Sequence, residues 1–291
     1  MRVRIEPAEQ NDIAINRIRD ALKMYAPDGL EFIENHADFN IDLLVMIVNG
    51  RCGRTKRRMA EAQKYGADIA VMQISLASTR NPFVKDWMPV WDYAKRIWSY
   101  YDLPQIARDQ GVDPAFEDKF YHAPLGVNSD VFKPSGATKE YMAIAVTKGY
   151  LTESTREIMA AVRHFGVTAA YVGPHINGLK GVDQFTGITD EELADLYSKS
   201  YYAPALRRLE GQDLPAAEGL LCGARPIVFD RPDQTWSPSF LTIQEVDREQ
   251  IIRDLIKIFR SDYAEVTQSE IEYAKEIFDW RKFAEGFWSW L

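Results

Sequence analysis

At 291 residues the chain is long enough for two domains of ordinary size, and 46% apolar residues suffice to give each a core. A net charge of −8 excludes a general polyanion binder, and two distant cysteines, Cys52 and Cys222, exclude a disulfide framework or a cysteine metal site. No apolar run approaches membrane-spanning length and no signal-peptide pattern opens the sequence, so a cytoplasmic location is expected.

The first half alternates strands and helices. Residues 1–5 read as a short strand. A helix capped by Asn11 or Asp12 follows, with Ile15, Ile18, Leu22 and Tyr25 at helical spacing, and Pro27-Asp-Gly29 stops it. Residues 30–33 and 41–48 are strands, the second an almost continuous apolar run of the kind found in buried parallel sheets. A turn at 49–53, a helix over 55–65 and a strand over 67–74 come next. This rhythm predicts a doubly wound parallel sheet. Residues 75–89 read as a loop at a strand's carboxyl end, where ligand clefts form in such sheets. Residues 91–101 read as an aromatic-rich helix, and the Pro/Gly-rich run 120–134 as the exit from a first domain spanning 1–134.

A second alternating domain is expected over 135–269. Strands are predicted at 141–146, 168–172 and 185–188, with helices at 155–165, at 191–197 capped by Asp190, and at 248–259. A last helix, 270–290, closes the chain.

The most informative stretch is 205–230. Glu210 and Glu218 are separated by seven residues, and the intervening Gly211-Gln-Asp-Leu-Pro215 is too turn-rich to be mid-helix. Asp213 is a good N-cap and Pro215 suits a first helical turn, so a loop carrying Glu210 leads into a helix from Leu214 to Leu221. Gly223 ends that helix and Pro226 opens a buried strand. A helix start with open amides is an anion site. Two carboxylates flanking it suit hydroxyl groups on either side of a phosphate, which describes a nucleotide sugar. The plain alternative is a loop–helix–strand unit with two solvated glutamates.

These residues resemble the E-x7-E segment of retaining glycosyltransferases of the two-domain GT-B type (glycosyl transferase group 1), which usually reads E-G-F-G-L-P-x-x-E-A-M-A-C-G-x-P-V-V. The chain departs from it: Gln212-Asp213 replace an aromatic and a glycine, Gly219 an alanine, and Arg207 a small serine. One extra residue, Ala224 or Arg225, precedes Pro226. Phe185-x-Gly-Ile…Glu-Leu-x-x-Leu-Tyr197, the 124–134 passage and Phe278-Asp-Trp280 also resemble that family's segments. The resemblance implies an α/β GT-B fold, two Rossmann-like domains facing across a cleft, with the final helix crossing back onto the first.

It further implies transfer from a nucleotide-diphosphate sugar to an acceptor hydroxyl with retention, through an oxocarbenium-like transition state. Glu210 would orient the donor sugar and stabilise developing positive charge, and Glu218 would hold the ribose. Gly173, Gly187 and Ile188 would line the base pocket. Gly211, Gln212, Asp213 and Leu214 would present backbone to the diphosphate, with Lys148 and Arg156 as its cations. The sequence has no Asp-x-Asp pair and no metal-ligand spacing, so no metal and no cofactor is expected. Relatives often carry a histidine at a strand end of the first domain; here Gln73, Ser75 or Asp86 stands available, while His36, His122, His164 and His175 read as structural or surface residues.

Arg51-Cys-Gly-Arg54-Thr-Lys56-Arg57-Arg58 is a basic cluster after a strong strand. Read as an acceptor site through Arg51, Arg54, Lys56 and Arg57, it implies an anionic acceptor: nucleic acid, including a hydroxylated DNA base, or membrane-surface phospholipid. No obligate protein partner is inferred. The rival reading is a non-catalytic nucleotide- or carbohydrate-binding module on the same fold.

Overall fold

The computed structural model describes residues 1–7, 13–35, 37–38, 40–48, 52–75, 84–147, 154–208 and 211–291, with backbone alone at 7, 13, 52–54 and 84–86. The chain divides into two compact units. Met1–Leu125 together with Trp280–Leu291 form the first, and Gly126–Asp279 the second.

The first unit is built on a parallel sheet. Its strands are β1 (Arg2–Pro7), β2 (Glu31–Phe32), β3 (Leu43–Val48), β4 (Asp68–Gln73), β5 (Arg96–Ser99) and β6 (Phe120–His122), in spatial order β2-β1-β3-β4-β5-β6. Every residue of β3 is buried, as its unbroken apolar run requires of a strand covered on both faces. Helices α1 (Ile13–Met24), α2 (Cys52–Lys64), α3 (Val84–Trp91) and α4 (Leu103–Asp109) connect the strands.

Three expectations change in this unit. The segment 91–101 is not one helix: α3 ends at Trp91, and 96–99 pair in parallel with Ala70–Gln73 as β5. The aromatic spacing there suits either period, and an open β4 edge decides for strand, burying Ile97 and Trp98 completely. Residues 84–89 are helical rather than loop, although Pro89 forgoes one helical hydrogen bond and the helix stops two residues later. Helix α2 also begins at Cys52, inside the expected turn.

The second unit holds β7 (Tyr141–Val146), β8 (Ala169–Val172), β9 (Val182–Phe185), β10 (Ser200–Pro204), β11 (Arg225–Phe229) and β12 (Leu241–Ile243), all parallel, in spatial order β12-β11-β10-β7-β8-β9. Its helices are α5 (Thr155–Arg163), α6 (Asp190–Ser198), α7 (Leu214–Leu221), α8 (Arg248–Arg260) and α9 (Gln268–Phe278). Residues alternate between two cores. Ile144, Val172, Ala203 and Val228 pack with α6, α7 and α9, while Ala145, Tyr171, Tyr202 and Phe229 pack with α5 and α8.

Here too boundaries move. The strand expected at 185–188 lies at 182–185, because Gly187 turns the chain with φ 68°. Thr189, not Asp190, caps α6: its hydroxyl accepts from the Glu192 amide while Glu192 accepts from the Thr189 amide.

The expected closing helix is two helices, separated at Asp279, whose backbone is extended (φ −76°, ψ 127°). Helix α9 belongs to the second unit, and α10 (Trp280–Trp290) to the first, where Trp288 Nε1 donates to Leu22 O at 2.9 Å. The division between units falls at 125/126 rather than 134/135, since Val127 N–H donates to Phe278 O and Ser135 N–H to the Ser198 hydroxyl. No helix among the described residues is long and apolar enough to cross a membrane.

Candidate functional site

In an open parallel sheet, ligands bind beyond the carboxyl ends of the strands where strand order reverses. In the second unit that reversal lies between β7 and β10: the chain runs outward through β8 and β9, then returns to the other side of β7. The residues following β10 are therefore placed at the favoured position, and they are those of the predicted loop and of α7.

Helix α7 spans Leu214–Leu221 as its caps predict, with Pro215 in the first turn and Gly223 closing it at φ 83°. It lies close against β10. A Cβ on Gly219 would stand 2.5 Å from the Ala203 Cβ, so glycine replaces the motif's usual alanine for a steric reason. Glu218, on the same helix, is 3% exposed, which excludes a solvated glutamate. Its Oε2 accepts from the Tyr197 hydroxyl at 3.1 Å. A buried carboxylate needs such donors to stay charged. Burial first, and the charge of Glu218 second, hold the Tyr197 hydroxyl well above the ordinary tyrosine range, so it remains a donor.

Asp213 occupies the N-cap position, but its side chain makes no capping hydrogen bond, contrary to expectation. Instead it forms an ion pair with Arg207, Nε to Oδ1 at 2.9 Å, in which Asp213 is 4% and Arg207 9% exposed. Thus two departures from the E-x7-E pattern, an aspartate for glycine and an arginine for serine, are partners. The backbone around them is pinned by Gln234, whose Nε2 donates to Arg207 O at 2.9 Å and whose Oε1 accepts from Phe229 N at 3.0 Å. Arg207 and Asp213 line a small cavity together with Val146, Ser154, Thr155 and Ile158. Sequence reasoning assigned no role to Tyr197, Arg207 or Gln234; the pairing of two departures was the one available signal.

Of the remaining expected donor residues, Gly211, Gln212 and Asp213 are buried, Leu214 is half-buried and Ile188 packs partly into the core, while Gly187 is exposed. Gly173 ends β8 against the end of β7. A Cβ there would meet Thr147 O at 2.6 Å and the Tyr171 hydroxyl at 2.8 Å, so only glycine fits. The Thr186 hydroxyl donates to Gly173 O at 2.8 Å and brings the 186–188 turn to the same edge. Arg156 is exposed in the first turn of α5. Glu210 and Lys148 lie outside the described residues. Among the described residues, no group of histidine, cysteine, aspartate and glutamate could hold a metal ion.

No family model and no curated protein sequence matches the chain. Solved structures do. Sucrose-phosphate synthase from Thermosynechococcus elongatus is 13% identical, with 98% of this chain and 96% of that one covered at a TM-score of 0.76. HepE of Anabaena, solved with UDP, is 11% identical, with 98% of each chain covered at a TM-score of 0.72. The pneumococcal O-GlcNAc transferase GtfA, solved with UDP and GlcNAc, is 14% identical at a TM-score of 0.64; 84% of this chain matches, and it spans only 55% of that protein's length. The fold is GT-B. It does not by itself choose a reaction, since UDP-GlcNAc 2-epimerase from Methanocaldococcus jannaschii is similar too, at a TM-score of 0.54.

In the first unit of this GT-B chain, order reverses between β1 and β3. The loops following both strands, including Arg51, lie outside the described residues, as do the Arg54 and Asp86 side chains. Lys56 and Arg57 sit on α2, half-buried and exposed respectively. Arg58 is drawn inward: Nε donates to Glu6 Oε2 at 3.0 Å and Nη1 to Glu61 at 3.2 Å. Gln73, one of the three residues expected to stand in for a histidine, lies at the end of β4. It is fully buried, its Nε2 donates to Ser75 O, and its Oε1 accepts from Trp91 Nε1 at 3.4 Å. Of the four histidines, His36 is outside the described residues, while His122, His164 and His175 are exposed.

Proposed function

We propose that the chain is a glycosyltransferase that moves a sugar from a nucleotide-diphosphate sugar to an acceptor hydroxyl, with retention and without a metal ion. One observation carries this reading: the helix that follows the reversal point of the second sheet carries a buried carboxylate, Glu218, held by a tyrosine hydroxyl. An ordinary surface helix does not sequester an acidic group in this way. Two of the similar structures, GtfA and HepE, were solved with UDP, which supports this reading.

In this reading the diphosphate lies at the amino end of α7, beside the backbone of Gly211 to Leu214, with Lys148 and Arg156 adding positive charge. Glu218 holds the ribose hydroxyls. Glu210 orients the transferred sugar and stabilises the oxocarbenium-like transition state, and the departing diphosphate takes the acceptor's proton. The bond from anomeric carbon to diphosphate breaks as that to the acceptor oxygen forms on the same face. The acceptor we propose is anionic, nucleic acid or membrane-surface lipid, met by Arg51, Arg54, Lys56 and Arg57.

The test is donor turnover. Glu210→Ala is expected to lower transfer and donor hydrolysis by about 10²–10³-fold, the loss typical of one group aimed at transition-state charge, with an unchanged melting temperature. Wild-type turnover in that variant would remove Glu210 from the mechanism. A wild-type protein that binds nucleotide sugars but neither transfers nor hydrolyses them would favour the binding-module alternative.

A further inference from the structure

Strand β11 runs parallel to β10 and ends at Phe229, and the turn that follows it is braced from within. Gln234 N–H, Thr235 N–H and the Thr235 hydroxyl all donate to Arg231 O at 3.0 Å, and the Trp236 indole donates to Asp233 O at 2.9 Å. Two side chains of this turn reach the connection between β10 and α7. Gln234 is 1% exposed, and both ends of its amide are engaged. Oε1 accepts from Phe229 N–H at 3.0 Å, while Nε2 donates to Arg207 O at 2.9 Å and to Gly211 O at 3.5 Å. Turning the amide over would set its NH2 group against the Phe229 N–H, so its orientation is fixed. Arg231 Nη1 donates to Arg208 O at 3.1 Å, with the guanidinium held by Glu245 Oε2 at 2.9 Å and Asp233 Oδ2 at 3.1 Å.

One turn therefore holds the carbonyls of Arg207, Arg208 and Gly211. These bonds go to main-chain oxygens, so they fix the path of the backbone rather than the rotamer of one side chain. Leu209 and Glu210 are the two residues between Arg208 and Gly211. Covalent geometry sets the reach of a chain, so tethering both ends of a two-residue span limits where its side chains can be carried. A buried amide engaged at both ends is also costly to displace, because each broken bond strands a polar group away from water.

We propose that Gln234 and Arg231 are positioning residues for sugar transfer: they clamp Arg207 and Arg208 on one side and Gly211 on the other, and so set where Glu210 meets the donor. This rests on the role given to Glu210 above. Neither side chain touches the donor; both act through the backbone that carries the carboxylate.

The test is a double-mutant cycle on the full chain, read as donor hydrolysis at a temperature well below every variant's melting point. UDP-GlcNAc, UDP-glucose, ADP-glucose and GDP-mannose are the donors tried, and the one that the wild type hydrolyses fastest is carried forward. Gln234→Met keeps the side chain's length and loses its hydrogen bonds; Arg231→Met does the same for the guanidinium. Each is expected to lower kcat about tenfold or more, since a shift near 1 Å in a catalytic group costs up to about 10²-fold. Arg231→Met, whose tether is at Arg208 and not at Gly211, is expected to leave the donor KM within about threefold of wild type, a smaller change than misplacement brings to kcat. In a Glu210→Ala background each substitution is expected to lower kcat by no more than about twofold further, because groups that act through one another are not additive.

If both variants turn over as wild type does, the proposal falls. If each lowers the Glu210→Ala protein as much as it lowers the wild type, the turn serves the fold or another part of the site, and the proposal also falls. Should Gln234→Met fail to fold, Arg231→Met decides by the same two results. A Glu210→Ala protein as active as wild type, or a wild type that hydrolyses none of the four donors, overturns the reading of Glu210 itself, which is a separate failure.

Discussion

Both units place buried ionic groups near the reversal point of a parallel sheet, and the two arrangements differ in kind. In the first unit Glu6, on β1, accepts Arg58 from α2 and lies 2.9 Å from Arg4 on its own strand. Arg4 is 1% exposed and its Nη1 also donates to Asp38 O at 2.6 Å. Arg4 and Glu6 lie on β1 and Arg58 on α2, so these three charges tie a strand to a helix. In the second unit Arg207 and Asp213 sit on a single loop, and Asp213 immediately precedes a helix. A charge locked between elements supports the fold. The pair of Arg207 and Asp213 instead links two positions of one connection between β10 and α7.

The sharpest way to break this comparison is Arg4→Met. Leaving Glu6 underpaired in the interior is expected to cost about 3–5 kcal/mol, read as a shifted denaturation midpoint in tryptophan fluorescence. A loss under about 1 kcal/mol would show the network to be no more than a surface-like pair.

A third buried arginine, Arg225, supplies an intermediate case. It joins β11 to α9 through Glu270, with Nη2 to Oε2 at 3.2 Å, and to the carbonyls of Ala264 and Glu265. Its hydrogen bonds, ahead of the Thr267 contacts, lower the Glu270 carboxyl to about 2. A depressed carboxyl contributes stability above its ordinary value near 4.5 that is lost as pH falls toward 2. Glu270→Gln is therefore expected to lose roughly 1.5–3 kcal/mol at neutral pH. It should also flatten the acid limb of a stability–pH curve, and an unchanged limb would reject this assignment.

Gly219→Ala should cost about 1–3 kcal/mol through overpacking against Ala203, and Ala203→Gly in the same protein should recover most of it. No recovery would place the strain elsewhere. The smallest effect is expected at Arg57, exposed on α2. Arg57→Ala should change stability by no more than about 0.5 kcal/mol, while reducing the salt dependence of binding to an anionic acceptor. An unaltered salt dependence would assign this residue to surface charge alone.

Much of the fold was legible in local pattern. The run Leu43–Val48 could only be a buried strand, and the caps around 213–223 placed α7 correctly at both ends. Where pattern was ambiguous, neighbours decided. Residues 96–99 became a strand because β4 offered an unfilled edge, and 182–185 took a strand place that 185–188 had been expected to fill. Such competition between local propensity and available partners cannot be read from one segment.

By itself, then, the sequence determined two alternating α/β halves and the turn and cap signals that place Glu218 on a helix from Leu214 to Leu221. These follow from near-neighbour physics: capping, turn residues and apolar period. Only the tertiary structure decided what the unusual residues of that stretch are for. Asp213 meets Arg207, Gly219 meets Ala203, Arg225 meets Glu270, and Glu218 meets Tyr197. Three of these four partners stand at least sixteen positions away along the chain, and Arg207 stands six away from Asp213. Burial strengthens each such contact, and burial is a property of the packed chain rather than of any segment of it.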